Sequence, residues 1–112
     1  MHLSDIQWLS ELHSIQTGQT AISLTKTEFR LLFPLRSGAP LTYAQLASIA
    51  FQSPLDASIR TLLDKHIDRI RAKLRGSGFS VYCIKGYGYL LLPNPSPEEG
   101  LPFRGNWGAQ MR

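Results

Sequence analysis

The residues of this chain best suited to chemistry are cations. Between Ile59 and Arg75 stand Arg60, Lys65, Arg69, Arg71, Lys73 and Arg75, with only Asp64 and Asp68 opposing them. The rest of the 112 residues carries equal numbers of both signs, so the whole formal charge of +4 sits on 17 consecutive positions. Charge gathered on one element points to a polyanionic partner. A solvated helix face that happens to be basic is the plainer reading of the same pattern. Lysine and arginine can hold phosphates, and arginine can also match a guanine edge with two parallel N–H groups.

Other chemistries find little support. His2, His13, His66 and the single Cys83 lack metal-ligand spacing. Asp64 and Asp68 stand at i, i+4, which could serve acid–base work. Arg60, Lys65 and Arg71 flank them, however, and ion pairing is the simpler role. Gly86-x-Gly88 is half of a phosphate-loop pattern and follows no strand-to-helix junction. There is no Gly-x-Ser-x-Gly elbow. The sequence therefore predicts neither an enzyme nor a cofactor.

A helix must carry the cations, and its signal is the strongest in the chain. Ile59, Leu63, Ile67, Ile70 and Leu74 recur at helical spacing, an apolar stripe about 23 Å long. Asp56 or Ser58 can cap its start, and Gly76 with Gly78 ends it. Thr61, Lys65, Arg69 and Ala72 fall on the opposite face. Such a helix docks one side on a core and offers the other outward.

The remaining elements build that core. Thr25-Lys26-Thr27-Glu28 has the spacing of a capping box and opens a first helix through Phe29, Leu32, Phe33 and Arg36, with Gly38 as its stop. Glu28 is expected to act only as the cap. Pro34 would cost roughly 3 kcal/mol inside a helix and predicts a kink or an early end. A second box, Thr42 to Gln45, opens a short helix with Leu46, Ile49 and Ala50 on its apolar face, and Gln52 to Leu55 breaks it. The first 24 residues read as short strands on Ile6 and Trp8, Leu12, and Ile22 and Leu24, turning at Thr17-Gly18-Gln19. Phe79–Ile84 and Tyr89–Leu92 read as strands joined by a tight turn over Lys85-Gly86-Tyr87-Gly88. His66 is expected to pack at the edge of the stripe, Cys83 to be a small buried hydrophobe, and Trp8 to belong to the sheet core. Tyr87 is either a turn residue or a groove probe. From Pro93 onward prolines recur and periodicity stops, so 1–92 is expected to be the folded domain and 93–112 a flexible tail or linker with Phe103 and Trp107 as adhesive points.

Composition sets the outer bounds. With 43% hydrophobic residues the chain is not a disordered one. No apolar run approaches the roughly 18 residues of a membrane span. The N-terminus intersperses His2, Asp5 and Glu11 and shows no signal-peptide core. One cysteine cannot form an internal disulfide, which fits a reducing cytoplasm.

Three segments now carry a resemblance. Leu24-Thr25-x-x-Glu28-Phe29-x-Leu31-Leu32, His66-Ile67-x-Arg69-Ile70-Arg71-x-Lys73-Leu74 and Ile84-Lys85-Gly86-Tyr87-Gly88-Tyr89 occur in that order. Together, over about residues 3–92, they resemble the effector domain of the OmpR/PhoB-type response regulators. The resemblance implies an α+β winged helix-turn-helix, with an N-terminal antiparallel sheet, a three-helix core and a C-terminal hairpin wing. It implies double-stranded DNA as partner, in a transcription-regulating, two-component phosphorelay. The third helix would lie in the major groove and the wing on the adjacent minor groove or backbone. Carried over residue by residue, base reading falls on Lys65 and Arg69. Backbone or wing contacts fall on Arg60, Thr61, His66, Asp68, Arg71, Lys73, Lys85 and Tyr87, and Tyr89 matches the wing's closing tyrosine. Three positions depart from the family pattern: Arg60-Thr61 stands one residue early relative to His66, Lys65 replaces a usual apolar residue, and Asp68 replaces a basic or small one. The family's receiver domain has no room in this length, so any such domain is expected outside this chain, and a homodimer on tandem half-sites is expected on DNA. The reading from another class is a winged helix that binds an acidic protein surface and not DNA.

Overall fold

The computed structural model describes residues 2–95. The expected tail lies outside the described residues from position 96 onward, Phe103 and Trp107 included. In chain order the elements are β1 (Ile6–Leu9), β2 (Ser14–Thr17), β3 (Thr20–Ser23), α1 (Lys26–Leu32), β4 (Leu41–Thr42), α2 (Tyr43–Phe51), α3 (Ala57–Lys73), β5 (Phe79–Ile84) and β6 (Gly88–Pro93). The architecture is α+β, with two antiparallel three-stranded sheets: β1-β2-β3, which precedes the helices, and β4-β6-β5, whose strand β4 lies between α1 and α2 in the chain.

Each helix starts where its side chains supply the missing backbone partners. Thr25 Oγ1 accepts from the Glu28 amide at 3.1 Å, and Glu28 Oε1 accepts from the Thr25 amide at 2.9 Å. Thr42 and Gln45 repeat this at α2. Asp56 caps α3 by accepting from the Ile59 amide at 2.8 Å, and the Ser58 hydroxyl donates to the same carboxylate oxygen. These two donors hold the Asp56 pKa below its ordinary value. Pro34 does end α1 early: the helix closes at Leu32 and passes into a 3-10 turn over Phe33–Leu35.

The core lies where the three helices and both sheets meet. Ile15, Leu31, Leu32, Leu46, Leu63, Ile67, Ile70 and Leu91 have no accessible surface, and the stripe of α3 forms its centre. Trp8 stands edge-on to Phe29 and Phe33 at 6.1 and 5.5 Å between ring centroids, which seats the first sheet on α1.

Four expectations change. Leu12 is not in a strand; it ends a 3-10 turn, Ser10–Leu12, that reverses the chain between β1 and β2, and its side chain is exposed. Ile49 is not on the buried face of α2, because that face is Tyr43, Leu46, Ala47 and Ala50 and Ile49 falls on its flank. The wing is a three-stranded sheet rather than a hairpin alone, since Leu41 and Thr42 pair with Tyr89 and Gly88. Its last strand passes the expected boundary at 92: Pro93 pairs with Phe79, and the Asn94 amide donates to Gly78 O at 2.8 Å.

Candidate nucleic-acid interface

The helical period separates the cations of α3 into two groups. Lys65 and Arg69 are exposed on the face away from the stripe, together with Thr61, Asp68 and Ala72. Among the described residues neither Lys65 nor Arg69 has an ion-pair partner. The other cations turn back onto the protein. Arg60 Nε donates to Asp64 Oδ1 at 3.2 Å, and its guanidinium carbon lies 3.5 Å from the Tyr43 ring centroid. Arg71 Nε donates to Val81 O at 3.0 Å, and its Nη1 lies 3.4 Å from Asp68 Oδ1. Lys73 Nζ donates to Glu28 Oε1 at 2.6 Å.

Glu28 is therefore more than a cap. Its side chain is 1% exposed, and burial works against the carboxylate. The hydrogen bond from Lys73, with those from Thr25, outweighs burial and holds its pKa below the ordinary value. The pair ties the end of α3 to the start of α1.

A second network ties α3 to the wing. The Tyr89 hydroxyl donates to Asp64 Oδ1 at 2.6 Å, the oxygen that also receives Arg60 Nε. Burial, and then donation to this carboxylate, push the Tyr89 pKa well above its ordinary value, so the phenol remains a donor. Tyr43 stands edge-on to Tyr89 at 5.7 Å and its hydroxyl donates to Ile84 O at 3.3 Å. Asp64 and Asp68 are thus ion-paired, as their neighbours suggested. The joint role of Asp64, Tyr43 and Tyr89 was not visible in the sequence, because it unites residues from three elements.

The wing turn carries Lys85, Gly86 and Tyr87, all exposed. It is held from behind: the Tyr43 amide donates to Tyr87 O at 3.0 Å, and the Tyr87 amide donates to Ile84 O at 2.9 Å. Gly88 approaches β4 so closely that a Cβ there would lie 1.8 Å from Leu41 O. Cys83 is half-buried with Sγ 3.5 Å from the Tyr43 hydroxyl. His66 packs at the edge of the stripe, 5.7 Å from the Phe51 ring, with Nδ1 buried and without a hydrogen-bond partner among the described residues. Burial first, then the nearby Arg69 charge, lower its pKa, so the imidazole is neutral at pH 7. Among the described residues no group of three or more His, Cys, Asp or Glu could hold a metal ion.

Three helices with an outward third one, flanked by a sheet whose turn projects beside it, define a winged helix-turn-helix. The same fold occurs in the DNA-binding domain of response regulator AdeR, solved in complex with an intercistronic region, with a TM-score of 0.64 and 23% identity over 81% of this chain and 95% of that one. It occurs in the DNA-binding domain of CpxR from E. coli, with a TM-score of 0.65 and 23% identity over 78% and 89%. The C-terminal domain of the nisin resistance regulator NsrR, a lantibiotic response regulator, gives 0.65 and 21% identity over 78% and 90%. No family model matches the chain, and no curated protein does. This chain has the fold of the OmpR/PhoB-type effector domains.

Proposed function

We propose that this chain is a sequence-specific double-stranded-DNA-binding regulator of transcription. In this reading α3 lies in the major groove, and the wing turn lies on the adjacent backbone or minor groove. One observation carries it: Arg60, Arg71 and Lys73 direct their donors into the fold, while Lys65 and Arg69 leave theirs on the outward face. Two unpaired cations one turn apart on an exposed helix face suit a groove between phosphates. Lys65 and Arg69 are the base readers. Thr61 and the open edge of His66 face the backbone, and Lys85 and Tyr87 act from the wing. Arg60, Arg71 and Lys73 hold the helix in place and add to the field. Asp68 shares the outward face, its charge partly offset by Arg71, and can accept from a cytosine amino group.

The same reading extends to a two-component setting in the cytoplasm, with a receiver or other domain outside this chain and a homodimer on tandem half-sites. The AdeR domain of the same fold, in complex with an intercistronic region, supports duplex DNA as the partner. No helix among the described residues is long and apolar enough to cross a membrane.

The test is a titration of the folded protein with duplex DNA between 50 and 200 mM salt. Neutralising about four to six phosphates should make log K fall with log salt at a slope of about −4 to −5. Absence of binding at the lowest salt would overturn the reading in favour of a protein-interaction module.

A further inference from the structure

We propose that Leu62 is a third base reader, one that contacts the 5-methyl group of a thymine. The inference rests on α3 being the groove helix. Leu62 is 40% exposed, and among the described residues it is the only large apolar side chain of α3 left so open. The stripe of the same helix is closed without it, since Leu63, Ile67 and Ile70 are fully buried. At 100° per residue, Leu62 lies about 20° around the axis from Arg69 and about 60° from Lys65. It therefore shares their arc, one and two turns nearer the start of the helix.

Facing water, a leucine in that arc does nothing that lysine or glutamine would not do. Entering a groove, it loses its water and needs an apolar partner. Base edges in the major groove offer only one, the C5-methyl of thymine. At any other base the leucine would cover donors or acceptors and leave them unpaired, which penalises those bases. Recognition here works by rejection as much as by contact. Leu62 stands about 10 Å along the axis from Arg69. For a helix lying along the groove, the thymine falls about three base pairs from the base read by Arg69.

The test begins with selection of preferred duplexes from a random pool by the wild-type protein. Each thymine of the selected site is then replaced singly by deoxyuridine, which removes only the methyl group. At one thymine the wild type should lose about fourfold in affinity, the worth of one buried methyl. Leu62→Ala should bind the thymine site more weakly than wild type and be indifferent to that same replacement, with an unchanged melting curve. If no thymine shows a difference between the two proteins in its response to deoxyuridine, the Leu62 proposal fails while DNA binding stands. If the wild type selects and binds no duplex, the groove reading fails and Leu62 falls with it.

Discussion

Arg69 and Lys85 are both exposed cations, but their surroundings suit them to different work on DNA in the proposed docking. Arg69 projects from a rigid helix one turn from Lys65, whereas Lys85 sits on a turn. Arg69→Ala should relax preference at one or two base positions, a loss of about 1–3 kcal/mol of discrimination, while sparing much of the nonspecific affinity. Lys85→Ala should weaken binding to every sequence and reduce the salt slope by about one. Site selection with each variant checks both, and an unchanged preference in Arg69→Ala would remove that residue from the readers. The outward placement of Lys65 and Arg69 was legible in the sequence, because helical periodicity fixes which side chains oppose a stripe. The inward commitment of Lys73 was not, since its partner Glu28 lies 45 residues away. Lys73→Ala leaves that carboxylate buried without its cation and should cost about 1–3 kcal/mol at pH 7. In the wild type the lowered Glu28 pKa gives stability present at neutral pH and lost as pH falls through the folded value. Without Lys73, burial is opposed by Thr25 alone, so that pKa rises above its wild-type value and protonation relieves the variant at a higher pH. The deficit should therefore shrink between pH 7 and pH 4, as urea titrations at the two pH values can measure.

Among the elements, the wing depends on one close approach. Gly88 lies against the Leu41 carbonyl with no space for a methyl group, so Gly88→Ala must push β4 away from β6. That should cost at least about 2 kcal/mol and lower Tm by about 10 °C. Gly86 makes the instructive contrast. Its φ is +75° with nothing near a built Cβ, so Gly86→Ala meets only backbone strain of about 1 kcal/mol. A melting comparison in which Gly86→Ala proves the more damaging would contradict the role given to β4. Helix starts were readable from sequence because capping boxes are local, four-residue devices. The strand β4 was unreadable for the opposite reason: two residues have no period, and their partners lie in β6. Leu12 misled because an apolar residue in a strand-like region can equally end a tight reversal.

For the whole molecule, a single small module with two unpaired helix cations offers few contacts, and one half-site should be held weakly. Two adjacent half-sites on one duplex should raise affinity by at least about tenfold, through contact between copies or a local concentration effect. A gel shift comparing one and two half-sites measures this, and equal affinities would count against a homodimer on DNA. The amide of Tyr43, at the start of α2, donates to the carbonyl of Tyr87 in the wing turn. With Asp64 and Tyr89 joining α3 to β6, α3 and the wing are tied into one stiff frame. In the proposed docking such a frame would be a caliper, gauging length along the duplex as well as the identity of its bases. One base pair inserted between the two proposed points of contact would turn the duplex by about 35° and should carry the far point out of the wing's reach, even where every base is the preferred one.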